Sequence, residues 1–276
     1  MRHSSLLIAA SALLQAAALP AQSAAPFPAP ARPTGQWVMK GENRMCVLSR
    51  DYSVAGRPLT LGIRTSPLGQ DATVIVVDAP RRQDYADGNV AIDTGAGPGK
   101  RSWSYSFEPR SAAMRITSVY TDRATLAAAA ASGRLGLRGG RLINVNFAVP
   151  AMTGALSVLR QCNEALAAQL GMPIAEQRRL ATPAVPRTPL LNLFNSNDYP
   201  YEALMHDRGG QPLAMLTIDP SGAVAGCETI EKSGTDSLDA RTCQVAGHAK
   251  FLPARDRAGQ PMRSLYFFRV KWYVGG

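Results

Sequence analysis

Between residues 36 and 171 the chain alternates short β-rich runs with turn residues. The runs "MCVLSR", "LTLGIRT" and "ATVIVVDAP" are followed by "SWSYSFEP" and "MRITSVY", a pattern that predicts a strand-first, antiparallel region. In "RLGLRGGRLINVNFAV" the pair Gly139-Gly140 predicts a two-residue hairpin, after which Ile143, Val145 and Phe147 alternate with Asn144 and Asn146. Two helices are predicted in the same region. One is "DRATLAAAAAS"; in the other, "TGALSVLRQCNEALAAQLG", Ala155, Val158, Leu159, Cys162 and Leu166 share one face and Gly171 ends the helix.

Beyond residue 197 the order becomes helix, hairpin, helix, strand. Gly209-Gly210 ends the first helix, "PLAMLTID" and "AVAGCETI" flank the turn Pro220-Ser221-Gly222, and Asp236 or Ser237 caps a second helix that runs to about Ala249. In the last strand Tyr266, Phe268, Val270 and Trp272 alternate with Arg269 and Lys271. That alternation predicts an aromatic face packed on the helices and a basic face in solvent.

Two proline-rich stretches, "APFPAPARP" and "MPIAEQRRLATPAVPRTP", read as linkers. The expected organisation is a leader (1–24), a Pro/Ala linker (25–35), a β-rich α+β domain closed by helices (36–171), a Pro-rich linker (172–196) and a small helix/antiparallel-sheet domain (197–274). The fold class is α+β. The leader has a short basic end, an apolar run from Leu6 to Leu19 and small residues after it, the build of a cleavable secretory signal peptide, with cleavage between Ala21 and Ala25. The alternative is an uncleaved inner-membrane anchor through residues 6–19, but a bilayer-spanning helix needs roughly 20 apolar residues and this run has 14.

Export changes the reading of the four cysteines, which become two disulfides. Cys227 and Cys243 are expected to staple the strand "AVAGCETI" to the following helix, and Cys162, on the core face of its helix, is expected to pair with Cys46. Spacing alone leaves the connectivity open. Metal binding is disfavoured, since His206 and His248 stand apart and no paired ligand spacing occurs.

The net charge of +10 is uneven: residues 32–196 hold 20 basic against 11 acidic side chains, and residues 197–276 hold 9 against 9. The arginines are scattered singly except Arg81-Arg82 and Arg178-Arg179, the pattern of a solvated basic surface, with an anionic envelope surface as the alternative partner. Export argues against nucleic acid. The glycine-rich "GAGPGKRS" departs from a phosphate-binding loop: Thr94 replaces the first glycine, Arg101 the hydroxyl residue, and a strand follows. With no G-x-S-x-G, no H-E-x-x-H, and Asp236 and Asp239 explained by helix capping, no enzyme activity and no cofactor are expected.

One resemblance does emerge, from the order and spacing of Tyr199-Pro200, Ala203, Asp219, Gly222, Val224, Ser233-Gly234 and Leu238-Asp239, then Phe251, Pro253, Ala254 and Gly259-Gln260-Pro261. This segment resembles the C-terminal domain of TonB-type energy transducers. The resemblance implies a module that takes an extended peptide, the TonB box of an outer-membrane receptor, onto a sheet edge. On that analogy the edge is Leu265, Tyr266, Phe267, Phe268, Arg269, Val270, Lys271 and Trp272. Transducers also need a membrane anchor and a long proline-rich span. This chain has a short leader and a folded domain where the span would be, so a periplasmic binding protein is favoured. The alternatives are an anchored transducer and an envelope structural protein; the oligomeric state is left open. Intact-mass measurement of the periplasmic fraction is expected to find a chain starting between Gln22 and Pro26, four hydrogens lighter than its reduced form; a full-length chain in the inner membrane would make the leader an anchor.

Overall fold

The computed structural model describes residues 29–274 apart from 43–44, 82–84, 96–98 and 110–111. The leader, and residues 96–98 of the glycine-rich turn, lie outside the described residues. Strands β1 (Arg32–Pro33), β2 (Val38–Glu42), β3 (Met45–Val54), β4 (Arg57–Thr65), β5 (Asp71–Asp78), β6 (Tyr85–Asp93), β7 (Lys100–Phe107), β8 (Arg115–Asp122), β9 (Arg134–Arg138) and β10 (Asn144–Ala148) form one 10-stranded antiparallel sheet. Its order is β1-β3-β4-β5-β8-β7-β6-β9-β10, with β2 also on β3.

The two ends of that sheet meet. Ala31 bridges Phe147, its N–H donating to Asn146 O at 2.6 Å while Ala148 N donates to Ala31 O at 3.3 Å. The result is a near-barrel around Leu48, Leu61, Ile63, Val74, Val119, Leu137 and Phe147, all buried. Helices α1 (Arg123–Ser132) and α2 (Met152–Gln169) pack against it; the α+β class is as expected, while the sheet is a near-barrel whose ends join directly rather than one seen to be closed by helices. Asp122 caps α1 by accepting from Thr125 N at 2.7 Å.

Several local expectations are corrected. The connection at Gly139-Gly140 is five residues, 139–143, because Gly139 N bonds Ile143 O and Leu142 N bonds Gly139 O, closing a wider turn. Val158 is exposed; the buried stripe of α2 runs Met152, Ala155, Leu159, Asn163 and Leu166. Asn163 donates its amide to Thr65 Oγ1 at 2.7 Å, which offsets part of the cost of burying it. Arg32–Pro33, inside the first proline-rich stretch, forms β1.

The second proline-rich stretch carries α3 (Ile174–Arg179), β11 (Leu180–Thr182) and β12 (Val185–Pro186). After it come α4 (Tyr201–Met205), β13 (Leu213–Ile218), β14 (Val224–Glu231), α5 (Asp236–Ala246), β15 (Phe251–Leu252), β16 (Ala254–Asp256), β17 (Pro261–Met262) and β18 (Ser264–Arg269). β11 pairs with β16 and β12 with β15, so this stretch lies against the C-terminal unit. Helix α4 stops at Met205, before Gly209-Gly210, where Asp207 takes a positive φ of 50°. Thr235 is the N-cap residue of α5, with Asp236 its first helical residue.

Disulfides join Cys46 to Cys162 and Cys227 to Cys243. The first ties β3 to α2 across 116 residues, the second ties β14 to α5 across 16. In the chain-entropy model the long loop is worth about 5 kcal/mol and the short one about 3 kcal/mol. Urea unfolding under non-reducing conditions is therefore expected to show a larger loss for the Cys46→Ser/Cys162→Ser variant than for Cys227→Ser/Cys243→Ser.

Candidate functional site

The C-terminal unit is built on the three-stranded sheet β14-β13-β18. Its turn is shaped by Asp219, whose Oδ1 accepts from Ser221 N and Ala223 N, and by Gly222 at φ 87°, where a Cβ would lie 2.2 Å from Phe251 O. One face of the sheet carries Ala214, Leu216, Tyr266 and Phe268. Phe268 meets Phe194, with ring centroids 6.3 Å apart, and Tyr266 meets Phe251 at 5.0 Å. Past the strand's end, Trp272 donates from its indole to Thr242 Oγ1 on α5 at 2.8 Å and packs with Ala203, Leu238 and Val270. The aromatic side of the last segment thus lies on the helices.

The other face is buried as well, which corrects the expectation of a solvated basic face. Leu213, Met215, Leu265 and Phe267 are each under 7% exposed, and the Arg269 side chain is 12% exposed. The cause is the outer surface of the near-barrel. Strand β7 alternates serines with aromatics: Ser104 and Ser106 are buried, while Trp103, Tyr105 and Phe107 occupy the opposite face. The Tyr105 hydroxyl hydrogen-bonds Gln211 Oε1 at 2.6 Å, and Lys271 Nζ sits 5.8 Å from the Tyr105 ring centroid. Arg64 of β4 lies 3.6 Å from Glu231 of β14, and the same Glu231 Oε2 accepts from Arg269.

β18 ends the sheet, with β13 on one side and no strand on the other among the described residues. Gly210 and Trp272 exchange both backbone hydrogen bonds and Val270 N donates to Pro212 O. Since alternate residues of an antiparallel strand bond to the partner, Leu265, Phe267 and Arg269 aim their N–H and C=O groups at the open edge. That edge borders a cavity of about 720 Å³. Tyr266, Phe267, Phe268 and Arg269 all line it, and four consecutive residues from both faces of a strand meet one cavity only along the strand's edge.

Across the cavity stand Arg64, Thr73, Trp103 and Tyr120 of the near-barrel, and along its side Pro186, Pro189, Leu190 and Leu191. A smaller cavity of about 160 Å³ continues along the edge past Leu265 and Tyr266 to Asp71 and Pro183. Burial pushes the Tyr266 hydroxyl up to about 12, with Asp71 adding to the effect, and raises the Asp71 carboxyl, with Asp122 adding to it. Burial and then the neighbouring Arg269 hold the Arg64 guanidinium below its usual range. Lys271 is likewise lowered by burial, with Asp87 opposing. One end of the groove is thus cationic and the other holds Asp71.

Of the residues expected at the edge, Leu265 to Arg269 lie in β18; Val270, Lys271 and Trp272 continue past its end, where Trp272 bridges Gly210. Arg64, Trp103 and Tyr120 were not anticipated. For Trp103 the signal was the serine–aromatic alternation of "SWSYSF", an outward aromatic face waiting for a partner; Arg64 and Tyr120, on β4 and β8, carried no such local signal.

Residues 195–274 match a family model, the Gram-negative bacterial TonB protein C-terminal. The C-terminal unit is a TonB C-terminal domain. No family model matches the N-terminal region, and no curated protein matches the chain. The resembling residues have structural reasons: Ala203 is fully buried against Leu238 and Trp272, Asp239 accepts from Ser233 N at 2.8 Å, and Gly234 and Gly259 hold φ of 90° and 76°. TonB C-terminal domains are not catalytic, and no cluster of three or more His, Cys, Asp or Glu side chains is placed to hold a metal among the described residues.

Glu231 links the two sheets. Glu231→Gln would leave Arg64 and Arg269 facing each other without their carboxylate, with an expected cost of about 1–3 kcal/mol, measured by urea unfolding against wild type.

Proposed function

We propose that this protein binds an extended peptide by strand addition to β18, the peptide lying in the groove between the TonB C-terminal domain and the near-barrel. The observation that carries the reading is the open edge of β18 along the larger cavity. Six strand residues span about 20 Å, enough for five or six peptide residues paired through main-chain hydrogen bonds, with side chains alternating between the two walls. The family match makes the periplasmic peptide of a TonB-dependent outer-membrane receptor the first partner to test. The periplasmic location rests on the sequence of the leader. Among the described residues no helix is long and apolar enough to cross a membrane.

Residues 172–196 bear on the alternative of energy transduction. A transducer would use such a stretch as a free span, whereas here β11 and β12 hold it against β16 and β15. That arrangement favours a binding protein whose two units act as one groove.

Amide hydrogen exchange tests the reading. Adding a receptor TonB-box peptide is expected to slow exchange at Leu265, Phe267 and Arg269 by tenfold or more, with little change at β14. N-methylation of the peptide at alternate residues should abolish the effect in one register and spare it in the other. Unchanged exchange at those three amides under saturating peptide would refute strand addition.

A further inference from the structure

Glu231 is shared between two guanidiniums. Its Oε2 accepts from Arg269 Nη2 and lies 3.6 Å from Arg64 Nη1, while Arg269 Nη1 donates to Gln211 O at 2.6 Å. The Arg64 contact is longer than a hydrogen bond, so its donors are not committed to Glu231. The side chains are 19%, 12% and 26% exposed for Arg64, Arg269 and Glu231, so this charge imbalance sits where water screens it weakly. Lys271 lines the same end of the cavity. Asp87 opposes the Lys271 charge and accepts from the Trp103 indole at 3.3 Å, while Asp71 lines the cavity toward the Leu265 end and also lines the smaller one. Trp103, Leu190, Leu191 and Phe267 give the wall its apolar stretches, beside hydroxyl residues such as Thr73, Ser102 and Thr121.

We infer that the groove selects extended peptides carrying an Asp or Glu side chain flanked by apolar residues, the carboxylate docking between Arg64 and Arg269. The inference rests on strand addition at β18. It assigns the near-barrel a recognition role, because Arg64 comes from β4, outside the residues that match the TonB family. Main-chain pairing tolerates almost any sequence, so specificity must come from side-chain sites along the edge. A second carboxylate at this cationic end restores charge balance and accepts charge-assisted hydrogen bonds from planar donors. A lysine at the same peptide position would add a cation to an already cationic end, giving discrimination by repulsion as well as by attraction.

The test uses the full chain and three peptides, Val-Thr-Val-Glu-Val-Thr-Val and its Gln and Lys versions at the centre, titrated by calorimetry at low and high salt. The Glu peptide is expected to bind at least tenfold more tightly than the Gln peptide, with the Lys peptide weakest, and the Glu-to-Gln ratio should shrink with salt. In Arg64→Gln the Glu-to-Gln ratio should fall below threefold whatever happens to the absolute affinities; Arg64→Lys should retain part of the preference. Equal affinities for Glu and Gln peptides in the wild-type protein would overturn acid selection while leaving strand addition standing. An unchanged ratio in Arg64→Gln would remove the near-barrel from recognition. Failure of all three peptides to bind would take both readings down together.

Discussion

The groove depends on burial of the second face of the β14-β13-β18 sheet against the outer surface of the near-barrel. A three-stranded sheet covered on one side by α5 would leave Leu213, Met215, Leu265 and Phe267 in water, and their burial is worth roughly 1.5–3 kcal/mol per side chain. The near-barrel supplies the covering, with Tyr105 and Arg64 making the polar contacts to Gln211 and Glu231 that fix how the surfaces meet. Two sheets meeting face to face cannot also close over the edge of the shorter one. A channel is left along β18, walled by Trp103 and Tyr120 on one side and the 186–191 segment on the other.

The sequence made the C-terminal unit legible because its order of turns and caps is imposed locally. Gly222, Gly234 and Gly259 hold positive φ, and Asp219 and Asp256 bond the backbone of their own turns. Such residues act within a few positions of themselves, so their spacing survives in the one-dimensional pattern. The strands β3, β4, β5, β7 and β8 were legible for a similar reason, through their β-branched and aromatic content. β6, "YADGNVAID", has too few such residues to stand out; it is held in place by β7 and β9.

What was not legible is which face meets what. The alternation at Arg269 and Lys271 reads as a solvent face because charged residues at every second position usually are one. Here a second domain brings Tyr105 over Lys271, and Glu231, across β13, meets Arg269. Similarly, "SWSYSF" gives a strand but not its orientation. Its serines point inward, where Ser106 accepts from the buried Arg115, and its aromatics point outward to the partner sheet. Proline content misleads in the same way at residues 172–196. Pro186 takes no part as a backbone donor, yet β12 needs only two residues against β15 to hold the chain in place.

An edge that receives a peptide works best when it is already in its bound shape, since ordering it on binding would subtract from affinity. β18 meets that requirement through three constraints that do not involve the ligand. Its inner side is paired to β13 over all six residues, from Ser264 to Arg269. Both of its faces are packed, one on Phe194 and Phe251, the other toward the near-barrel. At the far side of the sheet the Cys227–Cys243 bridge ties β14 to α5, so the sheet cannot slide over its helix. An isolated TonB-type unit would possess the first and third of these and only half of the second. The near-barrel therefore contributes twice to the same edge, as a support that keeps β18 extended and as the wall that presents Arg64 to whatever lies along it.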